Sequence, residues 1–188
     1  MVHPPATRRA KILFDCRQRL QEHFDELCEL IRRENGKTLE EARGDVTRGL
    51  AVLEFACHIP HLLKGESLPQ IAEQLDGLTW REPLGVCAGI TPYNFPAMVP
   101  MWMFPLAVAC GNTFVLKPSE KVPLTANRLA AIFHEAGLPE GVLNVIHGGP
   151  EVVEAICRHP QVRAVSLVGS TGVARRVYQL ATEHRKRV

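Results

Sequence analysis

The sequence predicts an α/β fold: a largely parallel sheet covered on both faces, preceded by a helical hairpin. Three observations predict it. From Pro83 onward, apolar runs of four to six residues alternate with helix-length segments, the pattern of repeated strand–helix units. The first of these runs, Val86–Ile90, is apolar throughout rather than alternating, as a strand buried on both faces requires. Ahead of them, two segments carry apolar residues at steps of three and four, with polar residues between.

The first such segment places Leu13, Cys16, Leu20, Phe24, Leu27 and Ile31 on one face, and Asn35-Gly36 stops it. It reads as one helix. Thr38 with Glu41 forms a capping box for a second helix, whose buried face is Leu39, Ala42, Val46, Leu50, Leu53 and Cys57, and Pro60 ends or bends it. Residues 8–63 are therefore expected to form a helical hairpin packed on the α/β part. Residues 64–76 read as a polar connector and 78–82 as a short strand, so 64–84 joins the two parts. Residues 85–188 are the α/β part. Strands are expected at 86–90, 113–116, 143–146 and 162–168, and helices at 99–110, 124–136, 151–157 and 173–184.

Composition narrows the function. The 188 residues carry a formal net charge of +2, which gives no reason to expect nucleic acid or an anionic membrane as partner. The basic run from His184 to Arg187 is short and poor in aromatic neighbours, and is read as complementing the negative end of the last helix. The six cysteines form no CxxC pair and most lie in apolar settings, which fits reduced, buried thiols and no metal site. The N-terminus shows no signal-peptide pattern, and the apolar stretch 95–110 is too short and too rich in proline to span a bilayer. A cytoplasmic location is expected, or a mitochondrial matrix one in a eukaryote.

The polar residues just past the strand ends carry the chemistry, since open α/β sheets bind ligands there. Lys117-Pro118-Ser119-Glu120 follows one strand. The lysine suits phosphate or ribose oxygens and the glutamate a ribose diol. Alternatively, both are solvated loop residues. Gly169-Ser170-Thr171-Gly172 follows another strand and starts a helix, so Ser170 either caps it or meets a phosphate at its N-terminus. Asn94 sits between Tyr93 and Phe95 in a loop bounded by Pro92 and Pro96. Its amide either donates to a developing oxyanion or bonds its own turn.

Together and in this order, Tyr93-Asn94-Phe95-Pro96, Lys117-Pro118-Ser119-Glu120 and Gly169-Ser170-Thr171 resemble the aldehyde dehydrogenase superfamily. Residues 85–90, 94–112 and 141–148, with Gly36-Lys37-Thr38-Leu39, Gly44-Asp45-Val46 and Arg48-Gly49, are most similar to its methylmalonate-semialdehyde, CoA-acylating branch. The resemblance implies an NAD-binding, Rossmann-type sheet and NAD-dependent oxidation of methylmalonate or malonate semialdehyde. Coenzyme A is the co-substrate, the carboxylate is lost, and propionyl-CoA or acetyl-CoA results, a step of valine catabolism. It implies Asn94 as the oxyanion donor and Thr91 and Tyr93 on the nicotinamide side. Lys117, Glu120 and Lys121 fall at the adenosine ribose and Ser170 at the pyrophosphate. It implies a homodimer or homotetramer at full length. It also implies that this chain is an N-terminal-half fragment: the catalytic domain is absent, and none of the six cysteines stands at the nucleophile's motif. The alternatives are a non-catalytic NAD-binding fragment or another member of the aldehyde dehydrogenase superfamily. Thr91, Tyr93 and Leu167 depart from the family's commoner alanine, phenylalanine and phenylalanine.

Overall fold

The computed structural model describes residues 4–188. Helices α1 (Ala6–Glu22), α2 (Phe24–Asn35), α3 (Leu39–Cys57) and α4 (Ile59–Leu62) come first. Strands β1 (Ser67–Ala72) and β2 (Leu75–Leu78) follow. Then come β3 (Val86–Ile90), α5 (Met98–Ala109), β4 (Thr113–Lys117), α6 (Pro123–Glu135), β5 (Leu143–Val145), α7 (Pro150–Arg158), β6 (Val162–Leu167) and α8 (Thr171–Glu183).

The sheet is α/β and parallel, as expected, with strand order β5-β4-β3-β6. Successive residues of one strand serve opposite faces. On β3, Cys87 joins the core beneath α1, α3, α5 and α6, while Ala88 and Ile90 join a second core beneath α7 and α8. On β4, Phe114 and Leu116 enter the first core and Val115 borders the second. The first core is closed by aromatic packing, with the Phe104 ring 4.8 Å from Phe133 and 6.5 Å from Phe114. Gly89 lies where a Cβ would stand 2.6 Å from the Phe114 ring, so only glycine lets that ring reach the strand.

The helical part follows the expected signals with one bend. Thr38 and Glu41 make the reciprocal capping box at the start of α3. Gly36 takes the left-handed conformation, φ 80°, that ends α2. The single helix expected before it is two, divided at His23 (φ −97°, ψ 15°). The hydrogen-bond ladder passes through the bend, since the His23 N–H reaches the Arg19 carbonyl and the Leu27 N–H the His23 carbonyl. The apolar stripe is therefore unbroken, and the spacing carries no sign of the division.

Two further expectations are corrected. Residues 64–76 are not a plain connector and 78–82 is not a strand. Instead β1 and β2 pair antiparallel as a two-stranded ribbon, and the chain leaves it after Thr79 returns a hydrogen bond to Glu66. Pro69 offers no N–H and Gln70 has φ 52°, so the register slips between Leu68 and Ala72. The ribbon is exposed on both faces, which removes the polar–apolar alternation that signals a strand. The basic run from His184, expected to complement the negative end of α8, turns its Lys186 elsewhere. Lys186 is buried, donating to the carbonyls of His159 and Val162, and Arg187 bridges to Ala164 alongside β6. Hydrogen bonds from the buried ammonium to two backbone carbonyls hold this side chain in place.

Candidate cofactor cleft

The chain runs outward from β3 to β4 to β5, then returns to place β6 on the other side of β3. This is a topological switch point, and in such sheets the crevice at the strands' carboxyl ends is the binding position. A cleft of about 450 Å³ lies there. Ile90, Lys117 and Leu167 line it from the ends of the three adjacent strands. The Gly169-Ser170 turn and the start of α8 form one wall, and Gly149 with α7 another.

Lys117 is the last residue of β4, only 5% exposed, and its Nζ lies 3.0 Å from Glu120 Oε2. Bonding from Glu120's own backbone N–H, with Lys117 beside it, holds this carboxyl below the usual range. The pair thus presents a fixed cation and a fixed anion to one space. Across from them, Ser170 sits at the N-cap of α8, yet its hydroxyl makes no capping bond. The helix opens with unpaired N–H groups and no acidic residue in its first turn, which leaves a positive end facing the cleft.

Thr91 and Tyr93 line the cleft from the loop after β3. Thr91 is buried and its Oγ1 has no hydrogen-bond partner among the described residues. Asn94 does not line the cleft; its side chain is exposed at the next position of the same loop. Lys121 stands outside too, with Nζ 4.8 Å over the Tyr93 ring. Five of the seven expected residues therefore meet in one space, and Asn94 and Lys121 do not line it.

No thiol joins them. None of the six cysteines lines the cleft. Burial pushes Cys16 up to about 12 and Cys28 and Cys57 up to about 11. It also raises Cys87, Cys110 and Cys157. Cys110 lies at the far end of α5 from the Asn94 loop, about 18 Å away along a straight helix at 1.5 Å per residue.

Sequence reasoning singled out Asp45 only as part of a resemblance and gave it no role. It is fully buried, accepts the Met98 N–H at the start of α5 at 2.7 Å, and pairs with Lys37 at 2.8 Å. An acid inside an otherwise apolar helical face was the available signal.

Comparison with known proteins points the same way. Malonate-semialdehyde dehydrogenase 3 of Geobacillus kaustophilus (strain HTA426) is 59% identical over 184 residues, 98% of this chain and 38% of the relative. A protein of Sinorhizobium meliloti 1021, assigned to methylmalonate-semialdehyde dehydrogenase and complexed with NAD, superposes with a TM-score of 0.95 at 49% identity, over 98% of this chain and 38% of that one. Methylmalonate-semialdehyde dehydrogenase from Oceanimonas doudoroffii gives 0.95 at 46% identity, over 97% and 38%. The chain thus spans about two fifths of the length of the curated relatives it matches. The model of the aldehyde dehydrogenase family matches residues 1–188, and the chain belongs to that family.

Proposed function

We propose that the cleft is the NAD site of a semialdehyde-oxidising enzyme, and that this chain supplies the cofactor-binding part. The observation that carries the proposal is the meeting of Lys117, Glu120 and Ser170 in one space at the switch point. The likeness to a relative complexed with NAD supports it. NAD, when bound, supplies the hydride acceptor.

The chain's own residues divide the work of holding it. Lys117 and Glu120 take the adenosine ribose, the carboxylate accepting from its hydroxyls, with Lys121 beside them. Ser170 and the open N–H groups of α8 take the pyrophosphate. Thr91 and Tyr93 wall the nicotinamide side. The buried Thr91 hydroxyl fits a polar group delivered from outside the protein, since a buried hydroxyl is ordinarily paired. Lys121 braces Tyr93 from behind. Asn94 donates to the oxyanion that forms when a thiolate attacks the aldehyde carbon.

The finer reading is the acylating one. The substrate is malonate or methylmalonate semialdehyde, coenzyme A takes the acyl group, and the carboxylate leaves as carbon dioxide or bicarbonate. Similarity to malonate- and methylmalonate-semialdehyde dehydrogenases supports it. A homodimer or homotetramer in the cytoplasm, or in the mitochondrial matrix of a eukaryote, belongs to the same reading. So does the division into residues 8–63, 64–84 and 85–188. That no cysteine lines the cleft favours a second statement about the chain alone: it binds the cofactor without turning over.

Calorimetry with NAD tests the binding. The chain is expected to bind, and Lys117→Ala to weaken binding about tenfold or more, the worth of one hydrogen bond to a charged group. Equal affinity in the two proteins would remove Lys117 from the site. NADH formation with malonate semialdehyde, NAD and coenzyme A is expected to be absent. Turnover abolished by Cys110→Ala would instead make that thiol the nucleophile.

A further inference from the structure

The loop that carries Asn94 is held by residues the cleft does not use. They come from the end of α2, the link that follows it and α3. Asn35, the last residue of α2, donates its Nδ2 to the Tyr93 carbonyl at 2.6 Å. Lys37 Nζ lies 2.8 Å from Asp45 Oδ2 and 4.0 Å from the centroid of the Phe95 ring. Asp45 Oδ1 accepts the Met98 N–H at 2.7 Å. The Asp45 side chain is fully buried, and that of Lys37 is 14% exposed.

Helix α5 needs this acceptor. Ala97 at its N-cap has no side chain able to take an N–H, and the first turn contains no acid. The orphan donor is satisfied from another helix instead. A carboxylate at that position also meets the positive end of α5. The lysine neutralises it in a place with little water, and reaches the aromatic face of the loop from the same atom. An apolar pair of equal volume would fill the space but would fix neither Met98 nor Phe95.

The result is a loop pinned on both sides of one residue. Asn35 fixes Tyr93, Lys37 packs on Phe95, and Asp45 fixes Met98, while the Asn94 side chain between them stays exposed. We propose that Asn35, Lys37 and Asp45 are positioning residues, a clamp that sets the Tyr93–Asn94–Phe95 backbone and so aims the Asn94 amide. The purpose of the aim rests on the oxyanion role proposed above; the clamp itself does not.

Amide spectra of the ¹⁵N-labelled chain test it, with the Asn94 side-chain signal assigned by its loss in Asn94→Asp. In Lys37→Met, the Asn94 side-chain signal and the Tyr93 and Phe95 backbone signals are expected to move. Exchange of the loop amides is expected to rise about tenfold or more relative to Val115 in the sheet. Lys37→Arg, which keeps the charge and a face for the Phe95 ring, is expected to restore the wild-type signals. Unmoved Asn94 and Tyr93 signals in a folded Lys37→Met would overturn the clamp. An equal rise in exchange throughout the sheet would overturn it too, since that is general loosening. If Lys37→Met does not fold, Asn35→Ala decides: it leaves the ion pair in place, and Asn94 signals unchanged by it would overturn the proposal. The NAD titration and these shifts read different groups, so the two proposals fall separately.

Discussion

Strands β3 and β1 are similar in length, five residues against six, and differ in nearly everything else. Four residues of β3 are buried, it has a parallel neighbour on each side, and both its faces are covered. No residue of β1 is buried, it has one antiparallel neighbour, and Leu68 and Ile71 stand more than half exposed. The stability of β3 comes from what lies above and below it. That of β1 comes only from its partner and the turn between them, and a two-stranded ribbon alone is marginal in water. The sheet can therefore carry a site whose geometry must hold, and the ribbon cannot.

The sharpest way to break this contrast is to enlarge Gly89. A Cβ there meets Phe114 at 2.6 Å and Met103 sulfur at 2.9 Å, and that ring is packed against Phe104. Gly89→Val is expected to cost about 1–3 kcal/mol through overpacking. Denaturant unfolding followed by circular dichroism measures it. A cost under about 0.5 kcal/mol, ordinary for a surface position, would mean that the aromatic layer yields and that β3 is no stiffer than β1.

Acid tests two charged pairs, one just past the end of β4 and one between α2 and α6. Glu120 is held below the ordinary carboxyl range by its own backbone N–H and Lys117, and Glu26 by Arg128 and then His23. A depressed carboxyl stabilises the fold above the unfolded-state pKa, about 4.3 for glutamate, and that contribution is lost as pH falls through the folded value. Melting temperature is therefore expected to be level from pH 8 to about pH 5 with respect to these groups, and to fall below about pH 4. Glu120→Gln and Glu26→Gln together should flatten the acid limb. Both side chains are about half exposed, so the effect is expected to be smaller than that of Gly89→Val.

Legibility in the sequence divides along the same contrast. β3 and β4 were legible because burial on both faces leaves a short apolar run between turn residues, and β6 because its apolar residues fall between turn signals although Arg163 and Ser166 interrupt them. Lys117, Glu120 and Ser170 were legible because the strand ends locate them. β1 and β2 were not, because an exposed ribbon with Pro69 inside it has no buried face to impose a period of two. The strand-like pairing of Arg187 was hidden in a basic run, where the local helix end suggested a different use for its charges. Asp45 and Lys37 stand in family-like motifs, but their work depends on a contact between helices 53 residues apart in sequence, which no local pattern encodes.

The smallest expected effect lies on the ribbon itself. Leu68, Ile71, Leu75, Leu78 and Trp80 are each more than half exposed on or beside β1 and β2. Side chains already in water lose little transfer free energy when shortened. Ile71→Ala is therefore expected to change the stability of the monomer by less than about 0.5 kcal/mol. The same exposure makes the ribbon a sticky edge, since its outer backbone groups and these apolar side chains are open together. Sedimentation velocity over a range of protein concentrations is thus expected to show self-association that weakens in Leu68→Lys with Leu75→Lys, at nearly constant unfolding midpoint. A loss of about 2 kcal/mol or more from Ile71→Ala would show that the ribbon is as deeply built into the fold as β3. A clean monomer at every concentration would show that its apolar side chains are shielded in solution, and the contrast between the two strands would then rest on packing alone.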